Sequence, residues 1–169
     1  MTTAPTAGPI AGAITRRDGK RPRDRHEAEA LVRFGDLPLP AGARVTSATL
    51  TLAFRDTTAG HQLRGYYLAR AWDPAVADWV TRAPDETWSV PGAQGLGTDV
   101  VEAAALVDTS GTGSGVVRKS YALDVAVVQG WVNGSLTNSG VLLRSGEADA
   151  KMRFASALNA VYGLAPKLI

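Results

Sequence analysis

The sequence of 169 residues contains no cysteine and only two histidines. Without cysteine the chain can form neither a disulfide framework nor a thiolate metal site, so its stability has to come from packing. His26 lies in a charged run and His61 follows a glycine, and neither is part of a motif that combines a nucleophile, a base and an orienting group. The acidic residues lack the spacing of an EF-hand loop. These absences predict that the protein is not an enzyme, and we assign it no cofactor and no metal ligand.

Long apolar runs are missing as well. No run approaches the ~18 residues that a membrane-spanning helix needs. The N-terminus, MTTAPTAGPIAGAITRRDGK, lacks the basic region followed by an apolar stretch that defines a secretory signal. We therefore expect neither membrane insertion nor signal-directed export of this chain.

Neither sign of charge dominates, since 18 Lys and Arg residues face 16 Asp and Glu residues. The basic excess is local, in the segment RRDGKRPRDR at residues 16–25. This Arg-rich segment could be a solvated loop, or it could bind an anionic partner. In the second interpretation, its arginines bind carboxylates of a neighbouring subunit through two hydrogen bonds each. The candidate partner-binding residues are Arg16, Arg17, Arg21, Arg23 and Arg25.

Alternation with a period of two is the main pattern present. Residues 48–54 place four apolar side chains on one face of an extended chain, which is typical of a half-buried strand. Upstream, Ala30, Val32 and Phe34 form the apolar face of a second strand, and the segment PLPAG between the two predicts a loop. Similar short runs recur between turn residues, which predicts an antiparallel sandwich or barrel. The four apolar residues are Ala48, Leu50, Leu52 and Phe54.

One segment, LDVAVVQGWVNG at residues 123–134, has helical spacing instead. Val125, Val128, Trp131 and Val132 recur at intervals of three and four, and Asp124 can cap the first turn. The sequence therefore predicts one short helix.

Three groups of residues combine a characteristic type, order and spacing. They are Arg33, Phe34, Leu37, Pro40, Gly42, Val45, Ser47, Ala48, Thr49, Leu50 and Leu52; then Trp72, Trp79, Ala83 and Pro84; then Asp124, Val125, Val128, Gln129, Trp131, Gly134, Asn138, Gly140, Leu142 and Leu143, followed by Phe154, Ser156, Pro166 and Leu168. Together they resemble the DNRLRE domain family. The resemblance implies an all-β fold, an antiparallel jelly-roll-like β-sandwich with one short helix, similar to carbohydrate-binding modules.

The N-terminal part departs from the family pattern. The family's first strand and N-x-G loop are replaced by the Arg-rich segment and by an arm rich in Thr, Ala, Pro and Gly. We therefore divide the chain into an N-terminal arm, residues 1–28, and a DNRLRE-like domain, residues 29–169. The arm supplies little apolar area to offset its ordering entropy, so we expect it to lie against a neighbouring subunit.

Aromatic residues are the natural candidates for sugar binding. We expect the four tryptophans, Trp72, Trp79, Trp88 and Trp131, to pack in the core. Tyr66 is a better surface candidate, because Leu63, Gly65 and Tyr67 form the more apolar face of its strand. With two neighbouring cations it makes up our predicted carbohydrate-binding set, Arg64, Tyr66 and Arg70.

Two functions remain open, because a fold does not fix a function. The first is a non-enzymatic virion structural or accessory protein on a phage tail or capsid surface, made in the host cytoplasm. Its partners would be other virion subunits or copies of itself, together with cell-surface polysaccharide during host adhesion. We do not expect a nucleic-acid partner. The alternative is a carbohydrate-binding module of a secreted polysaccharide-degrading system, and the lack of a signal peptide favours the virion protein.

Overall fold

The computed structural model describes residues 9–15, 28–35, 37, 39–40, 42–57, 63–108, 113–145, 155 and 164–169. These residues form strands separated by loops, with one helix near the C-terminal third. The strands are β1 (Pro9–Thr15), β2 (Ala28–Phe34), β3 (Thr49–Thr57), β4 (Leu63–Leu68), β5 (Thr81–Ala83), β6 (Glu86–Thr87), β7 (Val100–Asp108), β8 (Gly113–Ala122), β9 (Val141–Ser145) and β10 (Lys167–Leu168), and the helix is α1 (Val125–Asn133).

The strands form two main sheets. The larger sheet has the strand order β1-β2-β9-β4-β7, and the smaller has the order β10-β3-β8. The strands β5 and β6 pair separately as a short hairpin. All pairs between these strands are antiparallel. The predicted fold class, an all-β antiparallel sandwich with one short helix, is confirmed.

The main core lies between the two sheets. The smaller sheet supplies the apolar face predicted for residues 48–54, and the larger sheet supplies Val32 and Phe34 from β2. Leu63 and Tyr67 of β4 also point into this core, as their alternation predicts. The opposite face of β3 is less exposed than expected, because Ala53 is buried there. The Ala53 carbonyl also accepts a hydrogen bond from the Ala155 N–H.

A second core covers the outer face of the larger sheet, which is the face that points away from the smaller sheet. Leu31, Leu68 and Leu142 lie on this face and pack against Trp72 and Trp88 from the loops between β4 and β7. The segment of residues 69–99 therefore forms a third layer over the sheet. The three central strands are buried on both faces, which explains why their sequences are more continuously apolar than a half-buried strand requires.

Part of the predicted N-terminal arm belongs to the larger sheet. Strand β1 pairs with β2 over its full length, from Pro9 opposite Phe34 to Thr15 opposite Ala28. Backbone hydrogen bonds of a ladder supply a reason for order that the arm's small side chains do not. Strand β1 thus attaches residues 9–15 to the larger sheet, and the division of the chain at residue 28 stays a prediction. Within the described chain, β1 is an edge strand.

Helix α1 begins and ends as the sequence predicts. The Asp124 carboxylate accepts a hydrogen bond from the Ala126 N–H at 2.7 Å, and Gly134 ends the helix in the left-handed conformation. Gln129 of this helix fixes the Pro-rich loop between β2 and β3. Its Oε1 accepts a hydrogen bond from the Val45 N–H at 2.7 Å, and its Nε2 donates to the Ala43 carbonyl at 3.1 Å. Across the described residues, no helix is long and apolar enough to span a membrane.

Candidate functional site

The structure brings two of the three predicted carbohydrate-binding residues together. Arg64 and Tyr66 both lie on the outer face of the larger sheet, where Arg64 is exposed and Tyr66 is half-buried. Directly opposite Arg64 in the neighbouring strand is Arg144, whose guanidinium carbon lies 5.3 Å from the centre of the Tyr66 ring. A cation at this distance over a ring is attracted by its π electrons. Tyr66 therefore already has an intramolecular stacking partner.

Arg144 is held by a buried carboxylate. Its Nε donates to Oε1 of Glu29 at 2.7 Å, and Gln94 Nε2 donates to the same oxygen at 3.1 Å. Glu29 is only 4% exposed, so this ion pair depends on both hydrogen bonds to offset the desolvation of the charge. The pair also links β2, β9 and the loop that carries Gln94. The surroundings of Tyr66 are consequently built as a structural network, with Arg64 at its exposed margin.

Arg70 has a different environment from the other two predicted residues. It follows β4, and its Nη1 donates to Ser89 Oγ at 3.1 Å and lies 3.8 Å from Asp99 Oδ1. Asp99 is fully buried and accepts three backbone hydrogen bonds, from the N–H groups of Ser89, Val90 and Gly95 at 2.8, 2.9 and 3.1 Å. Arg70 thus contacts a carboxylate that organises the loop of residues 88–99.

The five predicted partner-binding residues, Arg16, Arg17, Arg21, Arg23 and Arg25, lie outside the described residues. Their role stays a prediction.

The tryptophans divide into two pairs. Trp72 and Trp88 are buried as predicted, and their indole N–H groups donate to the carbonyls of Ser139 and Asp78 at 2.9 and 3.0 Å. Trp79 and Trp131 are only half-buried. Trp131 packs edge-to-face against Tyr67, with 5.9 Å between the ring centres. The prediction that all four tryptophans pack in the core therefore holds for Trp72 and Trp88, whereas Trp79 and Trp131 keep part of their surface exposed.

A groove with a volume of about 590 Å³ opens beside Trp131. It lies where the end of β2 meets the C-terminal half of α1, and we call it the β2–α1 groove. It is lined by Arg33, Phe34, Gly35, Leu37, Trp131, Val132 and Asn138. Cavities of this size accommodate small organic ligands.

The polar groups of the β2–α1 groove have defined orientations. Asn138 Nδ2 donates to the Phe34 carbonyl at 2.9 Å, which fixes the amide so that Oδ1 is its free end. That oxygen is buried and accepts no hydrogen bond. The Arg33 guanidinium lies over the Trp72 ring, 5.3 Å from its centre, and makes one long hydrogen bond of 3.5 Å to the Trp72 carbonyl.

Sequence reasoning missed this groove because its residues come from three distant segments. The helical spacing indicated one apolar face that includes Trp131, but spacing alone does not show how far the sheet covers that face. Asn138 carried a possible signal, since a polar side chain between the helix and a buried strand needs partners. The partner itself, the Phe34 carbonyl, is visible only in three dimensions.

The described residues contain no group of three or more His, Asp or Glu side chains that could hold a metal ion. Several of the described aspartates, Asp73, Asp78, Asp99 and Asp124, accept hydrogen bonds from backbone N–H groups. Asp78 Oδ1 accepts from the Val80 and Thr81 N–H groups at 2.8 and 2.6 Å. These hydrogen bonds, that of Thr81 first, lower the pKa of Asp78 below its usual value.

No protein-family model matches the chain, and no curated protein matches it. Functional inference consequently depends on the residues and their arrangement.

Proposed function

We propose that the chain is a non-enzymatic virion structural or accessory protein that uses its sandwich for assembly and for adhesion to a host surface. The observation that carries the assembly part is the edge strand β1. It pairs with β2 on one side, and within the described chain no strand pairs with its other side. An edge strand of seven residues is a ready template for a strand of another chain.

The resemblance to the DNRLRE domain supports the same proposal. Its residues occupy positions that define the sandwich: Leu50 and Leu52 are fully buried, Asp124 caps α1 and Gln129 fixes the Pro-rich loop. The residues of this pattern form the core and the caps of the sandwich, so the pattern indicates the fold more specifically than surface residues of the same types would. We therefore propose that the chain is a DNRLRE-like domain, with the fold of carbohydrate-binding modules as its scaffold.

The non-enzymatic part is supported by the partners of the described carboxylates. Asp78, Asp99 and Asp124 accept backbone N–H groups, and Glu29 binds Arg144 and Gln94. Groups held in this way fix loops and strands. We expect no release of reducing ends from neutral or acidic polysaccharides, and cleavage that one carboxylate substitution abolishes would contradict this expectation.

Particle composition tests the virion proposal directly. Virions purified on a density gradient should contain the chain in constant proportion to the major capsid protein across the particle peak, as measured by quantitative mass spectrometry. A chain that stays in the soluble fractions would overturn the proposal.

A pair of adjacent proline variants tests the role of β1. Successive N–H groups of an antiparallel strand point to opposite sides, so of Ala11→Pro and Gly12→Pro one removes a hydrogen bond to β2 and the other removes an outward donor. Only the variant that loses the hydrogen bond to β2 should lower the unfolding temperature of the isolated chain. The variant that loses the outward donor should instead reduce incorporation into particles. Normal incorporation of both variants would show that β1 does not mediate assembly.

The second candidate function is a carbohydrate-binding module of a secreted polysaccharide-degrading system. The observation that favours it is the half-buried Trp131, which lines the β2–α1 groove. Co-purification with a glycoside-degrading enzyme instead of a virion would support this function over the first.

A further inference from the structure

We propose that two copies of this chain pair through β1, antiparallel and about a two-fold axis at Gly12, so that their five-stranded sheets join into one continuous sheet. This proposal rests on the assembly part of the proposed function and names the partner for it, which is a second copy of the same chain. It also assigns the register in which the two strands pair.

The sequence of β1 carries the first step. Its seven residues are PIAGAIT, and the five central ones, IAGAI, read the same in both directions. The strands of an antiparallel pair run in opposite directions, so a strand that pairs with a copy of itself meets its own reversed sequence. With Gly12 on the two-fold axis, Ile10 lies opposite Ile14 of the second copy, and Ala11 lies opposite Ala13. Each of these pairs therefore joins residues of the same type and size.

The regularity of β1 carries the second step. The strand contains no charged residue, its proline is its first residue, and its pairing with β2 runs over seven residues without a register shift. Natural proteins usually protect an edge strand with charges, internal prolines, bulges or short length. An edge strand without these features presents an unbroken row of N–H and C=O groups, which invites aggregation unless a specific partner covers it.

The other edges of the two main sheets, as far as the structure describes them, do have such features. Strand β7 is displaced twice in register against β4. Strand β8 carries Arg118 and Lys119 within its ladder with β3, where Lys119 lies opposite the fully buried Leu52. Strand β10 consists of two residues, one of them Lys167. This contrast indicates that β1 is the edge that the fold leaves open for pairing.

The direction of the chain carries the third step, because it favours antiparallel over parallel pairing. The Arg-rich segment of residues 16–25 begins directly after Thr15, the last residue of β1. A parallel pair would start both Arg-rich segments at the same end of the interface, where like charges repel. An antiparallel pair starts them at opposite ends. The antiparallel pair also closes, because each copy covers the open edge of the other and leaves no place for a third copy at β1.

Sedimentation velocity of the full chain tests whether two copies pair. We expect a monomer–dimer equilibrium, in which the sedimentation coefficient rises with protein concentration and reaches a plateau. A chain that stays monomeric over the whole accessible range of concentration would overturn the proposal. Assemblies that keep growing with concentration would overturn it as well, since a two-fold pair is closed.

Single cysteines test the register, since the chain contains none of its own. Gly12→Cys should form a disulfide-linked dimer under mild oxidation, because its two copies meet at the axis with a Cβ separation of about 5 Å. Ile10→Cys and Ile14→Cys should crosslink when mixed, but neither should crosslink alone, because equivalent residues are then about 14 Å apart. A mixture of Ala11→Cys and Ala13→Cys covers the alternate positions of the ladder, whose pairs have a different geometry.

Other arrangements of the two chains give different crosslinks. If Ile10→Cys crosslinks with itself as readily as with Ile14→Cys, the pairing is not the one proposed. If Gly12→Cys crosslinks only when mixed with Ala104→Cys, β1 pairs with strand β7 of another copy instead. Either result, or the absence of crosslinks from Gly12→Cys and from both mixtures, would overturn the proposal.

Charge variants at the axis separate the pairing of two copies from a disturbed β1. Gly12→Lys and Gly12→Glu each place like charges opposite one another, so each should raise the dissociation constant of the dimer by about fivefold. An equimolar mixture places lysine opposite glutamate and should restore the dissociation constant to within about twofold of the native value. Val116→Lys, at an exposed position of β8, is the control and should leave the dissociation constant unchanged. Equal weakening in the mixture would show that the two residues at position 12 do not face each other.

Failure of this inference is distinguishable from failure of the virion proposal. Dimerisation is measured on the purified chain, whereas particle composition is measured on purified virions. A chain that enters particles but never dimerises would overturn the pairing through β1 alone. A chain that dimerises but is absent from particles would overturn the virion proposal alone.

Discussion

Gly140 shows how a single residue can depend on the absence of a side chain. Its φ angle is +84°, and a Cβ atom at this position would lie 2.2 Å from the Val32 carbonyl oxygen. The contact is with backbone of the central strand β2, which cannot move without disturbing its neighbours in the sheet. Gly140 also accepts a hydrogen bond from the Leu68 N–H at 2.9 Å, so it joins β2, β4 and β9 at one point.

Gly140→Ala should therefore destabilise the fold by about 2 to 4 kcal/mol, from the left-handed backbone and the steric clash together. Gly42→Ala is the matched control, because Gly42 has a φ angle of +79° but no atom lies within 4 Å of the position that an alanine methyl group would take there. The control should cost only about 1 to 2 kcal/mol, from the backbone conformation alone. Urea unfolding measures both, and equal losses would show that the close approach to Val32 is relieved without cost.

Asp99 is the residue on which the loop of residues 88–99 depends. Its two oxygens accept three backbone N–H groups in a fully buried environment. Asp99→Asn replaces one acceptor oxygen with a donor group, so at least one N–H is left without a partner, at a cost of about 2 to 4 kcal/mol. Asp73→Asn is the control, since Asp73 accepts only the exposed Ala75 N–H and an amide oxygen can replace it. Chemical denaturation of both variants checks the difference, which would vanish if water replaced the lost contacts.

Helix α1 is the element that links the Pro-rich loop to the core. Gln129 supplies both a hydrogen-bond donor and an acceptor to the loop across more than 80 residues of sequence. The side chain of Gln129 therefore connects helix α1 to the loop that leads into β3. This arrangement also positions Leu37, which lines the β2–α1 groove.

Gln129→Met should remove these two hydrogen bonds while keeping a side chain of similar size. We expect a loss of about 1 to 3 kcal/mol, because the Val45 N–H and the Ala43 carbonyl lose their partners in a part-buried position. Hydrogen exchange should show faster exchange at Val45, with little change at β9. Unchanged protection of Val45 would mean that the loop is held by its own geometry.

The inward faces of β3 and β4 were the easiest features to predict, and the third layer was the hardest. Alternation identified the inward faces of β3 and β4 because a strand that faces water on one side must alternate. It did not predict the burial of Leu31, Leu68 and Leu142 on the outer face, since that burial depends on the loops that fold back over the sheet. Likewise, the spacing of α1 located its cap and its apolar face, whereas the groove beside Trp131 required the position of β2.

The positions of the predicted carbohydrate-binding residues could be derived from the sequence only for a single strand. Tyr66 and Arg64 lie on the predicted face, but Arg144 comes from a strand 80 residues later and could not be placed beside them from sequence. Strand β1 was missed because its small residues and its one proline supply little apolar area, whereas backbone pairing with β2 is independent of side-chain size.

At the scale of the whole molecule, acid should weaken the fold partly through Asp78. Its pKa is lower in the folded chain than in the unfolded chain, so its charge contributes stability above about pH 4, and that contribution is lost as the pH falls through the folded pKa. Asp78→Asn should be less stable than the native chain at about pH 7 and should approach it at about pH 2.5. Thermal unfolding at both pH values measures this, and a difference that does not depend on pH would exclude the charge as its cause.

The connection between Glu29 and Arg144 also constrains when the protein can fold. These two residues are 115 positions apart, and their strands β2 and β9 are neighbours in the centre of the larger sheet. During synthesis at about 5 to 20 residues per second, β2 leaves the ribosome on the order of ten seconds before β9 does. In that interval the apolar residues of β2 lack the strand that completes their sheet. The nascent chain therefore has a period of exposure to aggregation and to chaperones that is set by its topology, and slowing translation between these two strands would lengthen it.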